Sequence, residues 1–124
     1  MAGKKVYFVE GQAAVGPYSH AAEASGFIFI AGTGPVDGPN VEMTDVKKAT
    51  AMVLDNIRRI LKTAGSDLDK VVKVNVYLRD MADFAAMNEV YATYFPKDPP
   101  ARTCVAVKQL PFDIPVEIEA TAIK

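Results

Sequence analysis

The stretch PARTCVAV, residues 100–107, has the apolar and β-branched composition of a strand, yet it carries Arg102 and the chain's only cysteine, Cys104. A strand alternates its faces, so Arg102 and Cys104 point one way while Thr103, Val105 and Val107 point the other. A purely structural strand has little use for a permanent cation beside a soft thiol. The planar guanidinium fork matches a carboxylate, so the pair reads as part of a site for a small anion. The bland alternative is a surface arginine with its stem laid along the protein and its head in water. Pro99-Pro100 fixes the chain's entry just before Arg102 and favours the first reading.

Cys104 is most simply a small buried hydrophobe. As a nucleophile it would need a base, and the only histidine, His20, could approach only through the fold. One histidine and one cysteine without close spacing do not make a zinc site, so no metal is expected. Glu117 and Glu119 lie two apart on one face of a terminal strand. Alternation with a wet face explains them, but a neighbouring subunit covering that face would desolvate one carboxylate and raise its pKa toward general acid/base use. A charge from Arg102 would oppose that rise. Asn88 falls within the apolar stripe Phe84, Met87, Tyr91, Phe95, where a buried amide must find partners in backbone, ligand or a subunit neighbour. The glycines of AGTGPVDG lack both the G-x-x-x-x-G-K-[ST] and the G-x-G-x-x-G patterns, so no nucleotide cradle is expected.

The elements that must position these residues follow from periodicity. VYFVE (6–10) and GFIFIAG (26–32) read as strands, with a loop over 11–21 and a turn-rich segment over 32–40. Val46, Ala49, Val53, Ile57, Ile60, Leu61 and Ala64 follow helical spacing, with Thr44 as the expected N-cap, Asp45 in the first turn and Gly65 as the stop. KVVKVNVYL (70–78) is a strand that places Val72, Val74, Val76 and Leu78 on one face. A second helix is expected from about Ala82 to Phe95, ended by Pro96, and strands over 102–107 and 115–123 close the chain. The order β-β-α-β-α-β-β puts two helices against one sheet. By parity with the core-facing valines, Arg102, Cys104, Ala106, Glu117 and Glu119 are expected together on the opposite face. That face is too mixed for a second core, and a homo-oligomer that buries it resolves the conflict.

The chain has 124 residues, half of them apolar and 23% charged, with a net charge of −1. These totals suit one globular domain over 1–124 and give no charge-based grip on nucleic acid, which is disfavoured as a partner. The N-terminus has no apolar run behind its lysines, and no stretch reaches the length of a membrane span, so a cytoplasmic protein without membrane attachment is expected.

These motifs resemble the RidA/YjgF family of reactive-intermediate deaminases, also called endoribonuclease L-PSP or translation-inhibitor proteins. GPYSHA (16–21) is similar to its N-terminal motif, residues 54–95 to its central helix, strand and helix, and PARTCVAV and PVEIEATAI to its C-terminal signatures. The resemblance implies an α+β chorismate-mutase-like fold, one mixed β-sheet with two α-helices packed on one face, assembled as a homotrimer with clefts between subunits. It also implies cofactor-free hydrolysis of 2-imino acids or their enamines, such as 2-iminobutanoate and 2-iminopropanoate released by PLP enzymes, to 2-oxo acids and ammonia. In this pattern Arg102 clamps the substrate carboxylate. Glu117 orients or activates water together with the backbone of Cys104, while Tyr18, Gly32 and Asn88 line the cleft. Two positions depart from the family: Ala31 and Thr33 stand where it has serine and glutamine. Thr33 restores a hydroxyl on Ala31's side only if the strand runs on unbroken. The competing readings are a non-catalytic module that binds small carboxylates and an RNA-cleaving translation inhibitor. The absence of a basic stripe weighs against the latter.

Overall fold

The computed structural model describes residues 3–124; the first two residues of the expected unit lie outside them. Along the chain run β1 (Lys5–Tyr7), β2 (Ala21–Ala24), β3 (Phe27–Thr33), β4 (Val36–Asp37), β5 (Asn40–Val41), α1 (Val46–Thr63), β6 (Val71–Leu78), α2 (Phe84–Tyr94), β7 (Ala101–Ala106) and β8 (Val116–Ile123). Six strands form one sheet in the order β1-β2-β3-β8-β6-β7, and β4 and β5 form a small separate hairpin. β7 runs parallel to β6 while every other neighbouring pair in the sheet is antiparallel, so the sheet is mixed. The parallel pair needs a crossover, and α2 supplies it. The architecture is the expected α+β one.

Sequence reasoning missed the two-residue strands β4 and β5 at the end of the turn-rich segment, and in the main sheet it missed β2, because alanines at 21, 22 and 24 carry little strand preference. Its pairing with β3 is imposed by the turn Ser25-Gly26, where φ is 53° and 81°. Two consecutive left-handed residues match the twist of a tight hairpin. The first strand is also shorter than expected, ending at Tyr7 rather than residue 10.

The seven residues assigned to the α1 core stripe are all buried, the last of them, Ala64, at the helix's C-cap. Its N-cap, however, is Asp45, whose carboxylate accepts from the backbone N–H groups of Lys47 and Lys48 at 3.0 and 3.2 Å. A full negative charge suits the positive end of a helix better than a hydroxyl does. Thr44 instead donates its hydroxyl to Glu42. Gly65 ends the helix at φ 85°. α2 begins two residues later than expected, behind a 3₁₀ turn over Met81–Asp83 that the Asp80 carboxylate caps at Ala82 N–H.

In β6 the pairing with β8 slips between Val71 and Lys73. That irregularity turns Val71 inward and leaves Val72 43% exposed, so Val72 does not join Val74, Val76 and Leu78 in the core. Val116, Ile118, Ala120 and Ala122 of β8 are buried as expected.

The largest correction concerns the faces. The register pairs Val74 with Arg102, Val76 with Cys104 and Leu78 with Ala106. Those β6 residues are buried beneath the helices, so Arg102 and Cys104 lie on the helix side of the sheet, with Cys104 packed against the core. Glu117 and Glu119 pair with Tyr77 and Asn75 and lie on the open face. Arg102 and Cys104 therefore do not share a face with the two glutamates. β7 is an edge strand, and its valine Val105 is the outward residue at 42% exposure. Apolar alternation in an edge strand does not reveal which side meets the core.

Candidate active site

Arg102 is held at the sheet edge by the parallel pairing of β7 and is covered by α2 from above. Phe84, Met87 and Tyr91 recur along α2 at helical spacing, which brings their side chains onto one line facing the strand. The Arg102 guanidinium carbon lies 4.7 Å from the centre of the Tyr91 ring and 5.7 Å from that of Phe84. Nη1 approaches the Met87 sulfur at 3.9 Å. No ion pair among the described residues involves Arg102. A partly buried cation without a carboxylate partner retains its capacity to bind an anion.

Burial pushes the Tyr91 phenol up to about 12, against the opposing pull of the Arg102 charge, and its buried hydroxyl has no hydrogen-bond partner among the described residues. Burial likewise raises the Cys104 thiol, again against Arg102. A protonated, half-covered thiol is a poor nucleophile, so the structure favours the packing role for this side chain. His20 does not come to it. The imidazole is buried between β1 and β2, where Nδ1 accepts from the Val9 N–H at 2.8 Å. Asn88 is only partly buried; it flanks the stripe rather than completing it, because its neighbour Met87 takes the inward position.

A second cluster occupies the open face. Glu119 is committed to the sheet: it accepts from the Asn75 amide at 3.2 Å and from the Tyr77 hydroxyl. Glu117 forms no hydrogen bond among the described residues and is partly buried. Burial first, and the Glu119 charge second, hold its carboxyl above the ordinary glutamate range. Arg102 does not oppose that shift, since the sheet separates the two. Gly32 makes room for Glu117: a methyl group on its Cα would fall 2.7 Å from Glu117 Oε1.

The bulge in β3 explains what becomes of the two departures. Register with β8 is lost between Ile30 and Thr33. Thr33 consequently turns into the interior opposite Ile118, and its hydroxyl donates to the Ala31 carbonyl at 2.8 Å. It does not replace a hydroxyl at position 31. Ala31 instead forms one wall of an open groove of about 390 Å³ with Tyr18, Val6, Ala22 and Phe29. Tyr18 is presented by a tight turn in which its N–H donates to the Gly16 carbonyl at 2.9 Å across Pro17.

Within one chain the site residues thus form two groups. Arg102, Cys104 and Asn88 lie on the helix side near the β7 edge, and Tyr18, Gly32 and Glu117 lie on the open face. The aromatic and thioether cover of Arg102 was not foreseen, since Phe84, Met87 and Tyr91 read as an ordinary core stripe. The signal that could have found it is the cation facing that stripe, but only the β6–β7 register reveals the facing.

The family model described as Endoribonuclease L-PSP matches residues 10–124. A RutC family protein of Pyrococcus horikoshii is 51% identical over 124 residues, covering 98% of each chain. The crystal structure of the yeast protein YEO7 matches with a TM-score of 0.95 at 39% identity, covering 98% of this chain and 99% of its own. That of TdcF from E. coli, with bound serine, matches with a TM-score of 0.88 at 32% identity, over 96% and 97%. A match spanning most of the chain, and a relative identical at half of its positions along nearly its whole length, settle the family. The chain belongs to the endoribonuclease L-PSP family, the RidA/YjgF proteins whose motifs its sequence carries.

Proposed function

We propose that this protein hydrolyses 2-imino acids and their enamine tautomers, including 2-iminobutanoate and 2-iminopropanoate, to 2-oxo acids and ammonia without a cofactor. The observation that carries the reading is that both groups this hydrolysis needs are unspent within the chain. Among the described residues Arg102 is a partly buried cation with no ion-pair partner, and Glu117 is a carboxyl of raised pKa with no hydrogen bond. A relative of the same fold that binds serine supports a small carboxylate as the ligand class.

The two groups lie on opposite faces, so a complete cleft draws them from different copies. The open face favours such an assembly: Phe27, Phe29, Val105 and Ile123 are 42–48% exposed there. Phe27 and Phe29 lie beside Ile123 and Thr121 on β8, while Val105 stands at the far edge beyond Tyr77 and Glu117, so apolar and polar groups share a face that a second copy can cover. β7 also leaves one backbone edge unpaired at the end of the sheet, and that edge carries Cys104. In the proposed homotrimer, Arg102 and the Cys104 backbone of one subunit face Tyr18, Gly32 and Glu117 of the next, and Asn88 lines the Arg102 side.

In that cleft Arg102 fixes the substrate carboxylate with two parallel N–H bonds. An iminium carbon is already electrophilic, so placing it against one held water supplies much of the acceleration. The Glu117 carboxylate takes a proton from the water as the C–O bond forms and the C=N π pair moves to nitrogen. The resulting carboxyl returns that proton to the amine. The C–N bond then breaks, the hydroxyl proton leaves with ammonia as ammonium, and the 2-oxo acid remains.

The test generates 2-iminobutanoate with threonine dehydratase in the presence of semicarbazide, which traps the imine. Wild type is expected to outrun trapping and release 2-oxobutanoate, and Arg102→Ala is expected to lose that protection. A wild-type protein that leaves trapping unchanged, or an Arg102→Ala variant that protects as well as wild type, refutes the proposal.

A further inference from the structure

We infer that the ring face of Tyr91, flanked by Phe84 and Met87, is the positioning element that fixes the Arg102 guanidinium for carboxylate binding. The inference deepens the carboxylate-clamp reading and rests on it for its binding arm. An arginine on an edge strand has a long flexible stem, and an unpaired guanidinium ordinarily turns toward water. Here it stays partly buried, 4.7 Å over Tyr91 and 5.7 Å over Phe84, with the Met87 sulfur at 3.9 Å. The negative face of an aromatic ring attracts a cation without neutralising it, unlike a carboxylate, which would compete with the substrate. Rings therefore hold this group in place without neutralising it, and the one donor engaged, Nη1, meets only the weak Met87 sulfur acceptor.

Tyr91 is the member best fixed for the task. It is 7% exposed, whereas Phe84 is 36% exposed, and Phe95 backs it with ring centres 4.8 Å apart. Arg102 is anchored from below by its pairing with Val74, so strand and helix close on the guanidinium from two sides. The Tyr91 hydroxyl has no partner among the described residues, so its removal does not strand a second group. Tyr91→Phe therefore keeps the ring face, whereas Tyr91→Leu keeps apolar bulk and removes the face. Phe84→Leu, at a more exposed position, removes the weaker ring with little risk to the core.

The experiment follows the Arg102 Nε–Hε resonance in protein labelled with ¹⁵N-arginine and measures 2-oxobutanoate affinity by calorimetry. Wild type and Tyr91→Phe are expected to show an upfield ring-current shift at Arg102 and Kd values within twofold of each other. Tyr91→Leu is expected to lose most of the shift and bind about tenfold more weakly, with Phe84→Leu between. An Arg102 resonance that stays put in both leucine variants overturns the inference, as does a Tyr91→Phe variant that loses affinity as Tyr91→Leu does. If wild type shows the shift but does not bind 2-oxobutanoate, the ring cradle stands and the carboxylate reading fails, so the two failures are distinct.

Discussion

Gly32→Ala tests whether Glu117 must sit where the structure places it. The backbone at Gly32 is not in the left-handed region, so alanine is permitted there. The new methyl would nevertheless lie 2.7 Å from Glu117 Oε1 and 3.0 Å from Cδ, about 0.7 Å short of ordinary contact with the oxygen. The oxygen belongs to the end of a flexible side chain, so the glutamate yields rather than the strand. Holding the glutamate off its rotamer costs about 0.5–1.5 kcal/mol, which corresponds to a fall in Tm of roughly 2–6 °C for a chain of this size. The effect on chemistry is larger, because displacing a catalytic group by ~1 Å can cost about a hundredfold in rate. Semicarbazide competition under saturating and limiting imine should therefore show kcat down by roughly ten- to a hundredfold. Binding of 2-oxobutanoate, which the proposal assigns to Arg102, should remain. A Gly32→Ala protein with wild-type kcat would refute the role given to Glu117's position. One that unfolds by more than about 15 °C would refute the premise that the side chain can give way.

Two further expectations follow from charge and capping. Glu117→Gln removes a carboxylate that burial and Glu119 make costly to ionise, so its Tm at neutral pH should exceed that of wild type. The folded state holds this proton more tightly than the unfolded chain, so wild type regains the difference as pH falls from the raised native pKa toward 4.5, below which the two should coincide. A gain that persists unchanged below that window would refute the assignment; melts from neutral to acid pH decide it. Asp45→Ala should cost about 1 kcal/mol by removing the cap of α1, or roughly 5 °C in Tm, whereas Thr44→Ala should cost under ~0.5 kcal/mol; equal losses would refute the capping assignment.

How far the sequence could be read depended on what kind of information each feature needed. The core stripe of α1 was legible because seven residues repeat one period and no other element contradicts it. β8 was legible for the same reason at period two. β2 was not, because its strand character resides in the backbone of Ser25-Gly26 and in the partner β3 rather than in its alanines. Val72 was misplaced by a single irregularity between Val71 and Lys73, which composition does not announce. The candidate site residues stand out by type and motif, yet their arrangement does not. Parity within PARTCVAV correctly joined Arg102 to Cys104, but only the register against Val74 and Val76 says which face they share. The same limit applied to Thr33, whose hydroxyl was to stand in for a missing one until the bulge at Ala31-Gly32 turned it inward.

The separation of Arg102 from Glu117 has a physical use. Placed side by side on one face, a guanidinium and a carboxylate would pair with each other, and the substrate anion would have to break that pair before binding. The pairing would also lower the carboxyl pKa, away from the neutral range that the proposed base role needs. Keeping the sheet between them leaves Arg102 against aromatic faces that do not consume its donors, and leaves Glu117 where burial, and secondarily the Glu119 charge, raises its pKa. Each half therefore remains poised in the isolated chain, and in the proposed assembly the substrate, rather than a side chain of the protein, is the group that lies between them.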